Sequence, residues 1–331
     1  MAYTTIDDPT KYFVTKLWTG NGSTQNITGL NFSPDLVWLK NRESGSQEPC
    51  IYDTTRGAQQ RLFTSGNATQ SSSGSGGLTA FNSDGFSLGS AGNNNGSGVT
   101  YVSWNWDESS VGGFDIVSYT GNGSNRTISH SLGAVPKWMI VKNISTGSEN
   151  FGVYFNAGDI DATDYLFLNK TNAVADSNSL WNDTAPTSSV FSVGTSDVTN
   201  QNGASYIAWL WCEKKGFSRF SSYVGNGNAD GTFVYTGFAV SWLMMKRTDS
   251  AGEWLVFDNK RDPFNLRDTR LEIQDDFADS TGTTKVFDFL SNGFKCKGSD
   301  TDINASGGNY IYMAFAEAPF VNSKGIPTTA R

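Results

Sequence analysis

Five short blocks recur three times in one order along the chain, at offsets of about 101 and 104 residues, so any fold must accommodate three copies of one unit. Each copy opens on an aromatic strand that runs into Gly-Asn-Gly: Tyr12–Gly22, Phe114–Gly123 and Phe217–Gly227. An apolar strand ending in lysine follows: Pro34–Lys40, Pro136–Lys142 and Val240–Lys246. The third block is Ile51–Asp53, Val153–Phe155 and Val256–Asp258. A basic residue comes after it in copies one and three, Arg56 and Arg261, but not in copy two. Next is a turn between aromatic strands, Phe81–Phe86, Ser188–Phe191 and Leu290–Phe294, in which the second copy has lost its glycine. The copies close on Tyr101–Trp106, Tyr206–Trp211 and Tyr310–Phe315.

These blocks read as strands. Tyr101, Ser103 and Asn105 alternate with Val102, Trp104 and Trp106, a period of two with one large apolar face to turn inward. Aromatics reach 13% and there are 36 glycines, while charged residues are only 17%, which suits a sheet protein solvated by Thr, Ser and Asn. Asp84-Gly85 and Asn292-Gly293 are hairpin signals, since a type I′ turn needs positive φ at both central residues. The Gly-Asn-Gly turns lead into strands and also read as hairpins. No helical segments separate the strands, which excludes a parallel α/β fold. The expected fold is all-β: three tandem antiparallel β-sandwich repeats, jelly-roll or lectin-like. The expected boundaries are an N-terminal arm over 1–11, repeats over 12–110, 111–213 and 214–320, and a tail over 321–331. Short joints at 107–113 and 213–216 bring neighbouring copies into contact as a stiff rod or compact triplet. The Ser/Gly/Asn-rich stretches 65–77 and 92–98 read as exposed loops.

With 24 Lys+Arg against 32 Asp+Glu, the net charge of −8 disfavours a grip on nucleic-acid phosphates. No run of 18 apolar residues and no signal-peptide pattern is present, so a soluble chain made in the cytoplasm, without membrane insertion, is expected. Cys50, Cys212 and Cys296 fall in different copies with no C-x-x-C spacing and read as free thiols.

Chemistry is sparse. His130 is the one histidine, and no G-x-S-x-G accompanies it, so a serine triad is not indicated. Carboxylates are plentiful enough for a glycosidase pair, but nothing in the sequence pairs them. Asp275–Asp279 reads as a solvated acidic loop. Asp300, Asp302 and Asn304 resemble a fragment of a calcium loop, without its glycine at position six or glutamate at twelve, and are the candidate metal ligands. No cofactor is indicated. Trp38, Trp138 and Trp242 recur in register and read as core. Trp18 and Trp181 do not recur, and are the candidate exposed platform for glycan binding.

The Gly-Asn-Gly turns, the Pro34–Lys40 strand, the turn Ser83–Gly89 and the tail Ala314–Pro327 together resemble, over essentially the whole chain, repeated-domain virion structural proteins of marine tailed phages of the cyanophage and pelagiphage type. That resemblance implies a lectin-like sandwich in a virion surface component, either a tail fibre or receptor-binding protein or a capsid decoration or head-fibre protein. It carries no assigned catalytic residues. The implied partners are other virion proteins, further copies of the chain with a trimer favoured, and a host surface glycan, with the arm before Tyr12 as an attachment segment. The expected activity is therefore binding without catalysis. The alternatives are a carbohydrate-binding lectin module and a glycan depolymerase.

Overall fold

Burial of aromatic strands decides the architecture, and the computed structural model describes it for residues 2–328. Among the described residues the chain is all-β, with strands paired antiparallel in six sheets and helix limited to single turns such as Asn178–Trp181 and Thr301–Asn304. No helix among the described residues is long and apolar enough to cross a membrane.

In the first large sheet Phe13–Thr19 pairs with Thr100–Trp106, then come Leu36–Asn41, Cys50–Asp53, Gln60–Phe63 and Ser71–Ser72. Phe114–Thr120, Ser205–Trp211, Trp138–Asn143, Gly152–Phe155, Asp164–Phe167 and Ala175–Asp176 follow the same order in the second. The third runs Ser218–Val224, Asn309–Pro319, Phe238–Arg247, Trp254–Asp258 and Leu271–Glu272. Three small sheets accompany them: Gln25–Thr28 with Gly85–Leu88 and Leu78–Asn82; Arg126–Ser129 with Val190–Val193; and Phe233–Tyr235 with Gly293–Cys296 and Phe287–Leu290.

Two turn expectations change. The strands flanking each Gly-Asn-Gly lie in different sheets, so these segments are crossovers and not hairpins. The hairpins at Gly85 and Gly293 exist, but their two-residue loops are Ser83-Asp84 and Ser291-Asn292, none of them at positive φ, and each glycine opens the returning strand. A Cβ at Gly85 would lie 1.9 Å from the Ile27 carbonyl oxygen, and one at Gly293 2.0 Å from that of Val234. The glycines are therefore required by close approach of a neighbouring backbone. In copy two Val190 holds this position opposite Ser129, and its small sheet keeps only two strands.

The closing strands are buried on both faces, where alternation suggested one. Tyr101, Val37, Leu39 and Tyr52 meet Ile27, Phe86 and Leu88 of the accompanying small sheet in one apolar cluster, and each of the other large sheets does the same with its own. The opposite faces of all three large sheets join in a single further cluster, which includes Trp38, Trp104, Trp106, Trp138, Trp209, Trp211, Trp242 and Phe315. At its centre the Trp106 ring lies 5.9 Å from Trp211, 5.8 Å from Trp242 and 5.7 Å from Phe315. Trp138 and Trp242 do share a register, opposite Trp211 and Phe315. Trp38 does not: it faces Trp104, two residues beyond the equivalent position Leu36.

Contacts between the copies run cyclically. Trp209 Nε1 donates to Asp53 Oδ2 at 3.2 Å, from copy two to copy one, and Trp104 Nε1 to Asp258 Oδ2 at 3.3 Å, from copy one to copy three. Each aspartate is also clamped by its own arginine, Arg56 or Arg261, at 2.6 Å. Copy two has Phe155 in place of the aspartate and copy three has Met313 in place of the tryptophan, so both partners of the polar contact are apolar at the third seam. The N-terminal arm is packed down on the sheets. Ile6 enters the shared cluster, the Tyr3 hydroxyl donates to the Gly237 carbonyl at 2.8 Å, and Asp7 accepts from Ser323 N at 2.6 Å. The end of the tail, 329–331, lies outside the described residues.

Candidate functional site

The two tryptophans proposed as a sugar platform are inside the protein. Trp181 is 0% and Trp18 8% exposed. Trp18 Nε1 donates to the Asn94 carbonyl at 3.2 Å, and its ring stacks on Tyr101 at 5.4 Å. The position does recur, as Tyr119 stacked on Tyr206 and Tyr223 stacked on Tyr310. Neither tryptophan can offer a face to a glycan, because packing between large and small sheets consumes it.

The three candidate metal ligands serve other ends. Asp300 caps the single turn Thr301–Asn304 by accepting from Asp302 N at 2.9 Å, and Asp302 is ion-paired with Lys285. Asn304 is buried, and its Nδ2 donates to Asn226 Oδ1, Asn228 O and Gly298 O at 3.2, 2.7 and 2.9 Å. No group of three or more His, Cys, Asp or Glu among the described residues is placed to hold a metal. His130 Nε2 lies 3.1 Å from the Thr187 carbonyl oxygen, in an edge contact. The acidic stretch 275–279 is not simply solvated: Asp279 takes Arg42 at 2.6 Å and Arg261 at 3.0 Å, and so joins copy three to copy one.

Two recurrent polar devices lie in the interior. Asn95 and Asn200 repeat the Asn304 arrangement on Asn21 and Asn122, so the middle residue of every Gly-Asn-Gly is tied to a buried asparagine. Asn95 lies within the stretch 92–98 expected to be an exposed loop. The second device is the lysine ending each second block. Lys40, Lys142 and Lys246 are buried, and burial brings each ammonium down to about 8. Lys142 Nζ reaches the Asn67 carbonyl of copy one at 3.1 Å, and Lys246 Nζ the Thr171 carbonyl of copy two at 3.1 Å. Burial also holds the free thiols of Cys50 and Cys296 up at about 12.

With these groups committed to the framework, accessible chemistry lies where one copy departs from the others. All exposed large aromatics among the described residues, Phe233, Tyr235, Phe264 and Phe277, belong to copy three. Phe233 (46% exposed) and Tyr235 (54%) flank the buried Val234 on the outer face of the third small sheet. Register with the returning strand equates them with Asn26 and Thr28 in copy one, and with Thr127 and Ser129 in copy two. The Tyr235 hydroxyl lies 3.3 Å from that of Tyr3, whose phenol is raised above its ordinary range by burial and by that hydrogen bond. Lys295, opposite Phe233, pairs with Asp230 at 2.5 Å.

The other flank of this sheet carries the loop after Arg261. Five residues separate Arg56 from Leu62, but nine separate Arg261 from the equivalent Leu271, and the longer loop holds Phe264 at 78% exposure. Asn265 fixes the loop to the edge strand, donating to the Phe289 carbonyl and accepting from its N–H, both at 2.9 Å. Exposed rings thus stand on both flanks of one sheet.

Residues 8–319 match a family model described as Domain of unknown function (DUF7483), and the chain belongs to that family. No curated protein matches the chain.

Proposed function

We propose that this family member is a non-catalytic adhesion protein built of three tandem β-sandwich repeats of jelly-roll or lectin-like type, whose third repeat holds a surface glycan. The observation that carries the reading is the concentration of exposed aromatics on the third small sheet, at positions where the other copies have Asn, Thr and Ser. A sugar ring offers an apolar C–H face, which suits an aromatic ring, and a rim of hydroxyls, which suits charged and amide neighbours such as Lys295, Asp230 and Asn265. A rigid sheet holds such rings without an ordering cost on binding.

The resemblance to virion proteins of marine tailed phages supports a seat on a particle surface, as a tail fibre or as a capsid decoration protein. Assembly with other virion proteins and with further copies of the chain belongs to the same proposal.

The test is incubation of the purified chain with surface polysaccharide of a marine bacterial host, followed by affinity electrophoresis and by assay of new reducing ends. Retardation without new reducing ends is expected, together with reduced retardation for Phe264→Ala. Reducing ends that accumulate above a heat-denatured control would establish the depolymerase reading instead. Immunogold labelling of intact particles distinguishes shell from tail, and absence of label on both would remove the virion seat.

A further inference from the structure

At the seam between copies one and three lies a cleft of about 450 Å³, a volume in the range of small-ligand sites. It is lined by Thr15, Lys16 and Asn31 from copy one and by Asn259, Lys260 and Glu317 from copy three. Its cause can be read from the strand register. Thr15, opposite Trp104, is equivalent to Ile116, opposite Trp209, and to Phe220, opposite Met313. Ile116 and Phe220 fill the shared apolar cluster, whereas Thr15 is shorter and polar. The seam is thus left open beside Thr15.

The walls of the cleft carry unused hydrogen-bonding capacity. Thr15 and Asn259 are each more than nine-tenths buried, and Thr15 Oγ1 and Asn259 Oδ1 have no hydrogen-bond partner among the described residues. Lys16 and Lys260 make no ion pair among the described residues. Gly29 leaves room for the first of them: a Cβ there would stand 3.1 Å from Lys16 Nζ. Phe13, Val14 and Leu17 supply an apolar wall.

We infer that this cleft binds a carboxylate-bearing sugar of one or two rings, with the ammonium groups of Lys16 and Lys260 on its carboxylate and the amides and hydroxyl of Asn31, Asn259 and Thr15 on its hydroxyls. Glu317 and Asp84, which binds the N–H groups of Gly29 and Asn31 and lies near Lys16, balance the two cations, so an acidic ligand is selected over a neutral one by charge-assisted hydrogen bonds from the two ammonium groups and not by a net positive field. The inference rests on the glycan reading for its ligand class but uses none of the aromatic residues of the third small sheet.

The test is titration of the full chain with galacturonate and with galactose, followed by saturation-transfer NMR. Galacturonate is expected to bind at least about tenfold more tightly than galactose. Thr15→Ile, which installs the residue copy two already has there, should abolish binding while leaving the melting temperature unchanged or higher. Lys260→Glu, at an exposed position, should remove the preference for the acid. No saturable binding of galacturonate, or binding that survives both substitutions, overturns the inference. Phe233→Ala should leave galacturonate binding intact. Should the cleft variants lose galacturonate but keep polysaccharide retardation, the two sites are separate; should only polysaccharide retardation fail, the aromatic reading alone is wrong.

Discussion

Individual residues divide into those that every copy needs and those that one copy has changed, and the seams show the difference in charge. At the joint between copies two and three Glu213 is balanced by Lys137 at 3.1 Å and Arg219 at 3.5 Å. Asp35 and Asp115 hold the equivalent positions at the first joint, around Glu108. Burial first, and then the hydrogen bond with Asp115, raise the Glu108 carboxyl to about 7. A carboxyl raised in the folded state holds its proton where the unfolded chain has lost it. The stability it contributes is therefore full below about 4.5 and is lost as pH rises through about 7. Glu108→Gln keeps an acceptor for Ile116 N–H and removes the charge. Thermal melts should show the variant more stable than the parent by about 1–2 °C at pH 8 and indistinguishable from it at about pH 4. A gain that is independent of pH would contradict this account. The sequence showed each of these residues but not their neighbours, because the cluster forms only when strands from two copies meet.

At the scale of elements, the repeated strands were legible from period and block order, and the single-turn segments were not. Gly92–Asn95 reads as a polar loop because Gly and Asn are poor helix formers, yet it places Asn95 in a fully buried position. The missed signal was spacing: Asn95, Asn200 and Asn304 each stand six residues before the tyrosine that opens the closing strand. Those tyrosine hydroxyls accept from Gly96, Gln201 and Ala305 N–H at 2.7 Å and complete the turn. Asn200→Ala leaves the carbonyls of Ser124 and Gly194 without this donor, at a cost of about 2–3 kcal/mol. Asn200→Asp, which has no donor, should cost as much, whereas a surface change such as Ser188→Ala should cost less than about 0.5 kcal/mol. Urea midpoints check all three, and an Asp variant as stable as the parent would show that the amide does not hold the crossover.

For the whole molecule, the repeat announced three copies but not that their cores would merge. A strand with one polar face looks half-exposed in sequence, and here that face carries the paired Ser103 and Asn105 inside the first copy while Trp104 and Trp106 enter the common cluster. Three copies that share one core should unfold together. Calorimetry is expected to give one transition with agreeing calorimetric and van't Hoff enthalpies, and Trp106→Ala should lower the stability of all three copies by about 3–5 kcal/mol. Separate transitions would indicate independent copies. The framework is thus common property, and the functional reading depends on departures from it in copy three. The direct measurement is the affinity for host polysaccharide of the double variant Phe233→Asn, Tyr235→Thr, which restores the residues of copy one on an otherwise intact sheet. Loss of binding at least about tenfold with an unchanged melting temperature is the expected result; undiminished binding would contradict the account.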